Sequence, residues 1–118
     1  MLCKVRLELA RTPEFPEGNQ ACGYELVLPL DRNGQLDAEE WRQHRRACAV
    51  RRFWPQTKDE HGRLIHTRHR AWAFSYAPGE EDDEPLFHLD SHRVASGEYV
   101  SVTEHDGVTR PFRIVSVT

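Results

Sequence analysis

The residues best suited to bind a metal ion lie close together in the last third of the chain. His88, Asp90 and His92 occupy alternate positions, so in an extended strand their side chains project from one face. Imidazole and carboxylate groups are common metal ligands, and three of them leave a position open for catalysis. His66 could join them from a neighbouring strand. The alternative interpretation is that these are polar residues on the wet face of an edge strand.

A second group of residues is basic and includes two aromatic side chains at its end. It consists of Arg42, Arg45, Arg46, Arg51, Arg52, Phe53 and Trp54. Guanidinium groups contact phosphates and aromatic rings stack on bases, so this composition is typical of a nucleic-acid-binding surface. The alternative is a solvated helix face with the two aromatic residues in the core. The chain carries 16 Lys and Arg against 19 Asp and Glu, a net charge of −3, which argues against a dedicated nucleic-acid binder.

The cysteines indicate neither a disulfide framework nor a zinc ribbon, because Cys3, Cys22 and Cys48 are odd in number and widely spaced. Cys48 follows His44 by four residues, so a thiol and a base could touch on a helix. An unpaired cysteine on an apolar stripe is more often a small core residue. The fingerprints of P-loops, dinucleotide-binding folds and hydrolase elbows are absent from the sequence. We therefore predict no bound cofactor and lean against an enzyme.

Five consecutive acidic residues, Glu80 to Glu84, lie between Pro78 and Pro85. Burying such a charge density would be costly, so we predict that this run forms an exposed loop. The run lacks the spaced ligands and the central glycine of a calcium loop, which favours a solvated loop over a cation site.

Most of the remaining chain alternates between apolar and polar residues, the pattern of β-strands with one buried face. The predicted strands are Cys3 to Leu9, Cys22 to Leu30, Ala49 to Trp54, Leu64 to Tyr76 and Leu86 to Leu89. In the longest of them, Trp72, Phe74 and Tyr76 share one face opposite small residues. That arrangement indicates a strand that is buried on both faces or curls into a barrel.

One helix is predicted, over residues 38–48. Asp37 and Glu40 have the spacing of a capping box, in which each side chain bonds to the other residue's backbone amide. Acidic residues begin the segment and basic residues end it, which is the sense that the helix dipole prefers. Trp41 should anchor the helix to the surface of the protein.

The C-terminal twenty residues predict a β-hairpin. Tyr99 to Thr103 and Phe112 to Val117 read as strands, and Asp106-Gly107 between them is a strong signal for a type I′ turn. Six to seven strands with one surface helix predict a mainly β fold, a small barrel or roll. At 118 residues the chain should form one domain, residues 1–118, around one core.

The location expected from the sequence is the cytoplasm. The N-terminal residues place charges where a signal peptide needs an apolar run, and the longest apolar run, residues 26–30, is far shorter than a membrane helix. Free cysteines suit a reducing compartment. We therefore expect a soluble protein that does not contact a membrane.

One stretch resembles a known family. Val94-Ala95-Ser96-Gly97-Glu98-Tyr99-Val100-Ser101-Val102, followed by Arg110-Pro111-Phe112, is similar to the flavin-binding barrel of ferredoxin-reductase-type enzymes. In that family a G-Q-Y-V strand precedes an R-P-Y-S segment. The resemblance implies that Arg110 and Phe112 would hold a flavin. The same residues also suit an ordinary barrel strand, with Gly97 allowing a tight bend.

The leading functional interpretation is a small binding protein that contacts another protein or a second copy of itself, through strand edges and exposed aromatic residues. The first alternative is a nucleic-acid-binding barrel that uses the arginines between Arg42 and Arg52. The second is a metal- or flavin-assisted enzyme that uses His88, Asp90 and His92, or Arg110.

Overall fold

The computed structural model describes residues 1–67, 71–76, 84–87 and 93–118. In these ranges the chain forms eight β-strands, one short α-helix and one 3₁₀ turn. The strands are β1 (Leu2–Leu9), β2 (Asn19–Pro29), β3 (Ala49–Phe53), β4 (Glu60–His66), β5 (Trp72–Ser75), β6 (Glu84–Phe87), β7 (Tyr99–Thr103) and β8 (Thr109–Val117). The helix, α1, spans Ala38–Gln43, and the 3₁₀ turn spans Arg45–Ala47.

The strands form a closed antiparallel barrel in sequence order. Each strand pairs with the next, and β8 returns to pair with β1 through residues such as Leu7, opposite Ile114. The predicted mainly β fold is confirmed, with one or two more strands than the six to seven expected. Within the described residues every strand has a neighbour on both sides, so the strand edges that we expected to mediate contacts are paired.

The barrel interior is filled by the apolar face of each strand. Because side chains alternate across a strand, every second residue points inward. Tyr24, Phe74 and Phe112 pack at the centre, with ring centroids of Tyr24 5.0 Å from Phe74 and 5.1 Å from Phe112, and all three are fully buried. Burial of these aromatic rings is a large part of what stabilises the fold.

Helix α1 closes one end of the barrel, which we call the helix end. Asp37 caps it as predicted, because its carboxylate accepts bonds from the amides of Glu39 (3.0 Å) and Glu40 (3.2 Å). The reciprocal half of the capping box does not form, because the Asp37 amide donates instead to the Pro29 carbonyl. Trp41 anchors the helix, as expected, by donating from Nε1 to the Leu64 carbonyl (2.8 Å).

The helix ends earlier than predicted. It stops at Gln43, and the 3₁₀ turn carries the chain on to Cys48, which is fully buried. The chain must leave the helix at this point because β3 begins at Ala49 and the Cys48 carbonyl accepts a bond from the Leu64 amide. Tertiary packing thus overrides the helical pattern of residues 44–48.

Two further predictions were wrong in detail. The segment from Leu64 to Tyr76 is two strands that pair with each other, β4 and β5, because the chain reverses between His66 and Trp72. Glu84, predicted to lie in an exposed acidic loop, is the first residue of β6 and is fully buried. The polar contacts around this carboxyl, described below, are the physical reason that a charged residue type can be buried there.

The C-terminal hairpin is confirmed as β7 and β8, but its turn is not type I′. The Gly107 amide donates to the Glu104 carbonyl, and the Glu104 amide donates to the Val108 carbonyl. Gly107 has φ +80°, whereas Asp106 does not adopt positive φ. This pattern is a three-residue loop with a glycine bulge, which needs left-handed geometry at one residue only.

The second end of the barrel lies opposite α1, and we call it the polar end. There β1, β3, β5 and β7 finish and the strands that follow them begin.

In the described part of the chain, no helix is long and apolar enough to cross a membrane.

Candidate functional site

The predicted metal ligands His88, Asp90 and His92 lie outside the described residues. Their proposed neighbour His66 is at the helix end, where its ring stacks on Trp72 at 4.3 Å. Within the described ranges, no group of three His, Cys, Asp or Glu side chains is arranged to hold a metal ion. The metal site remains a prediction.

The arginines of the predicted nucleic-acid patch do not form one surface. On the helical segment, Arg42 pairs with Glu39 at 2.6 Å and the Arg45 guanidinium lies over the Trp41 ring at 4.8 Å. Arg46 is exposed on the adjoining 3₁₀ turn. These three residues remain together near the helix end.

The two arginines on β3 point to opposite sides of the barrel wall, because consecutive strand residues alternate. Arg51 lies outside, where it bonds to Glu25 and to Asp59 (2.5 Å). Arg52 turns inward at the polar end and donates from Nε to Glu104 at 2.9 Å. Of the five predicted arginines, Arg42, Arg45 and Arg46 therefore remain together, and the nucleic-acid function remains a prediction.

The two residues that the resemblance assigns to flavin binding, Arg110 and Phe112, lie in different environments. Phe112 is fully buried and packs against Tyr24 inside the barrel. Arg110 is at the polar end, where it donates to Glu104 (2.9 Å) and to Asp106 (2.9 Å). The structure places one in the core and the other in an ion-pair cluster.

The suggested cysteine nucleophile is buried away from its proposed base. Cys48 is fully buried, whereas His44 is exposed. Burial raises the pKa of the Cys48 thiol, which disfavours the reactive thiolate. Cys48 is a core residue in this fold.

The polar end contains a buried network that the sequence analysis missed. Two carboxyl groups, Glu84 (0% exposed) and Glu104 (4%), converge on the hydroxyl of Tyr24. The Tyr24 oxygen lies 3.0 Å from Glu84 Oε1 and 2.7 Å from Glu104 Oε2. A single hydroxyl therefore bridges two carboxyl groups inside the barrel.

Two arginines neutralise the Glu104 side of the network. Arg52 donates to Glu104 Oε2, and Arg110 donates from Nη1 to Oε1, both at 2.9 Å. Their guanidinium groups lie over the ring of Trp54, at 4.4 Å for Arg52 and 5.8 Å for Arg110. Phe15 packs edge-on against that ring, so an aromatic pair covers the ion pairs.

The Glu84 side of the network is built without arginine among the described residues. Tyr76 donates its hydroxyl to Glu84 Oε1 at 2.6 Å, and the His105 amide donates to Oε2 at 3.2 Å. The His105 ring lies beyond, with Nε2 3.6 Å from Glu84 Oε2 and 2.5 Å from Glu60. Hydroxyls, an amide and an imidazole surround this carboxyl.

Burial governs the acid–base behaviour of this cluster. Desolvation raises the pKa of the Glu84 carboxyl and of the Tyr24 and Tyr76 hydroxyls. Asp106 at the exposed rim shows the reverse, because its hydrogen bonds to Arg110 lower its pKa. Perturbed groups in one cluster are typical of functional sites but also occur in structural ion-pair networks.

One sequence signal could have indicated this network. Tyr24 shares its strand face with Leu26 and Leu28, and a tyrosine in a fully apolar row requires a partner for its hydroxyl. The partners themselves are 60 and 80 residues away in the chain. Sequence spacing therefore cannot identify them.

A second feature is an open groove on the outside of the barrel. It encloses about 900 Å³ between the β1–β2 connection and the outer faces of β1 and β8. Tyr99 lies on its wall and is 59% exposed, although it belongs to a strand. Charged residues of both signs line the groove: Glu8, Arg11, Glu17 and Arg113.

Comparison of the chain with protein-family models, with curated proteins and with solved structures found no match in any of the three. Functional inference for this chain therefore relies on its own geometry.

Proposed function

We propose that this chain is a binding protein and that it contacts a protein surface through the outer groove around Tyr99. The observation that carries the proposal is the exposure of Tyr99 on a strand whose neighbouring residues are well packed. Tyrosine supplies a large, rigid contact area at little entropic cost, and it is enriched at protein interfaces.

The charges around the groove support a contact with a second copy of the chain. Among the described residues, Arg11, Glu17 and Arg113 form no salt bridge. A two-fold interface brings the same patch together twice, so a patch with both signs can complement itself. We therefore propose self-association, with Tyr99 at the centre of the contact.

Light scattering coupled to size-exclusion chromatography, over a wide range of protein concentration, tests this proposal. The wild type should show a dimer whose fraction rises with concentration. Tyr99→Ala should weaken dimerisation by about five- to thirtyfold, the equivalent of the ~1–2 kcal/mol that an interface tyrosine contributes.

Val108→Ala is the matched control, because Val108 is also exposed (46%) but lies in the β7–β8 turn outside the groove. It should leave dimerisation unchanged. A wild-type protein that stays monomeric at every concentration would contradict self-association, and equal effects of the two substitutions would contradict the role of the groove.

A further inference from the structure

The hydroxyl of Tyr24 carries one hydrogen but lies within bonding distance of two carboxyl groups. It can donate to Glu104 Oε2, the closer at 2.7 Å, or to Glu84 Oε1 at 3.0 Å, but not to both. If both carboxyl groups were ionised, one of these contacts would bring two oxygen lone pairs together in a buried site. Such a contact would be repulsive and costly.

One additional hydrogen resolves the arrangement. A proton on Glu84 Oε1 allows Glu84 to donate to the Tyr24 oxygen while Tyr24 donates to Glu104. Tyr76 then donates to Glu84 Oε1 at 2.6 Å, so three hydrogen bonds run in one direction from Tyr76 to Glu104. Every oxygen in this series of hydrogen bonds then accepts or donates a hydrogen. Hydrogen bonds that follow one another in this way strengthen each other.

The surrounding charges place the proton on Glu84 and not on Glu104. Glu104 forms ion pairs with the guanidinium groups of Arg52 and Arg110, whereas no guanidinium group contacts Glu84 among the described residues. Glu84 faces Tyr24 on β2, Tyr76 after β5, and Glu104 and His105 after β7, and Glu60 on β4 lies behind His105. Desolvation also favours the protonated form of Glu84, because it raises the pKa of this carboxyl. The His105 side chain and the hydroxyls of Tyr24 and Tyr76 act in the opposite direction and lower that pKa.

We infer that the folded barrel holds a proton on Glu84 at pH 7, and that this proton closes the polar end by joining β2, β6 and the β7–β8 turn. Its loss at alkaline pH places a second negative charge beside Glu104 and weakens that closure. Glu84 is thereby a pH-sensitive element of the barrel, and this inference does not depend on the proposed self-association.

The sign of the resulting pH dependence follows from linkage. The pKa of Glu84 is higher in the folded state than its ordinary value of 4.5. Its contribution to stability is therefore complete below pH 4.5 and is lost as the pH rises toward the folded pKa. Over that interval the unfolding equilibrium constant should rise about tenfold for each pH unit from this group alone.

Carbon-13 NMR of the glutamate carboxyl groups in the wild-type protein tests the inference directly. We expect one glutamate carboxyl to be protonated at pH 7 and its signal to be missing from Glu84→Gln. If every glutamate in the wild type is ionised at pH 7, the inference is wrong, and this readout does not require the variant to fold.

Urea denaturation between pH 5 and pH 9 provides the second measurement. Glu84→Gln has no carboxyl proton to lose at this position, so its midpoint should fall less with pH than that of the wild type. Glu98→Gln, at an exposed position, should retain the wild-type dependence. Equal pH dependence in wild type and Glu84→Gln would overturn the inference.

Discussion

The two buried carboxyl groups are stabilised in different ways, although they share one tyrosine. Glu104 is an ion-pair partner, since both of its oxygens accept from guanidinium groups. Glu84 is fully buried with no guanidinium partner among the described residues, so desolvation raises its pKa although the hydroxyls of Tyr76 and Tyr24 act against that rise. The charge state of a buried carboxyl group thus depends on whether nearby cations offset the cost of its desolvation.

This difference predicts a large effect of removing the charge on Glu104. Glu104→Gln leaves Arg52, which is 15% exposed, without its counter-charge in a poorly solvated site, whereas Arg110 keeps its ion pair with Asp106. Breaking such a buried pair should cost about 3 kcal/mol in the free energy of unfolding. Urea denaturation at pH 7 measures it, with Glu98→Gln as a control that should change stability by less than about 0.5 kcal/mol. A loss no larger than the control's would show that the ion pairs contribute little.

At the scale of elements, a close approach between neighbouring strands depends on one glycine. Gly23 on β2 has no room for a side chain, because a Cβ there would collide with the Leu7 carbonyl oxygen of β1 and lie 3.1 Å from the ring of Phe53. That ring covers the glycine from outside and is flanked by guanidinium groups, Arg6 at 4.5 Å and Arg51 at 5.0 Å. An aromatic ring over a strand glycine restores packing that the missing side chain cannot supply.

Gly23→Ala should therefore destabilise the barrel by the upper part of the ~1–3 kcal/mol range for overpacking. Gly107→Ala is the comparison variant, since a Cβ there meets no atom within 4 Å and only the φ of +80° opposes it. Its cost should be about 1 kcal/mol. Thermal denaturation of both variants separates steric collision from backbone strain, and a smaller loss for Gly23→Ala than for Gly107→Ala would contradict the tight β1–β2 contact.

On the scale of the whole molecule, closure of the barrel relies on seams of unequal length. β1 pairs with β2 along its entire length, whereas in the described part of the chain β6 pairs with β7 through Leu86 opposite Val102 and Phe87 opposite Ser101. Local opening requires less free energy where fewer backbone bonds must break. The β6–β7 seam also adjoins Glu84, so the buried network and the shortest pairing among the described residues lie together at the polar end.

Native-state hydrogen exchange should reflect this asymmetry. We expect amides of β1 and β2 to exchange only by global unfolding, and amides along the β6–β7 seam to exchange through smaller openings at rates at least tenfold faster. Exchange measured by NMR at pH 7 in low urea distinguishes the two classes. Uniform protection across both seams would show that the barrel opens as one unit.

The sequence by itself determined the local features of this protein. The alternation of Cys3 to Leu9, the cap at Asp37 and the hairpin reversal near Gly107 each depend on residues within a few positions of one another. Backbone geometry and local hydrogen bonding are sufficient to specify such features. The mainly β fold follows from their sum.

Only the tertiary structure decided how the chain closes and what its charged residues do. The pairing of β8 with β1 and the meeting of Tyr24 with Glu84 and Glu104 join segments 60 or more residues apart. An acidic residue that looks solvated within its own segment becomes buried because distant strands bring it hydroxyl and amide donors. The energy of a buried carboxyl group depends on those neighbours in space, which local sequence patterns do not encode.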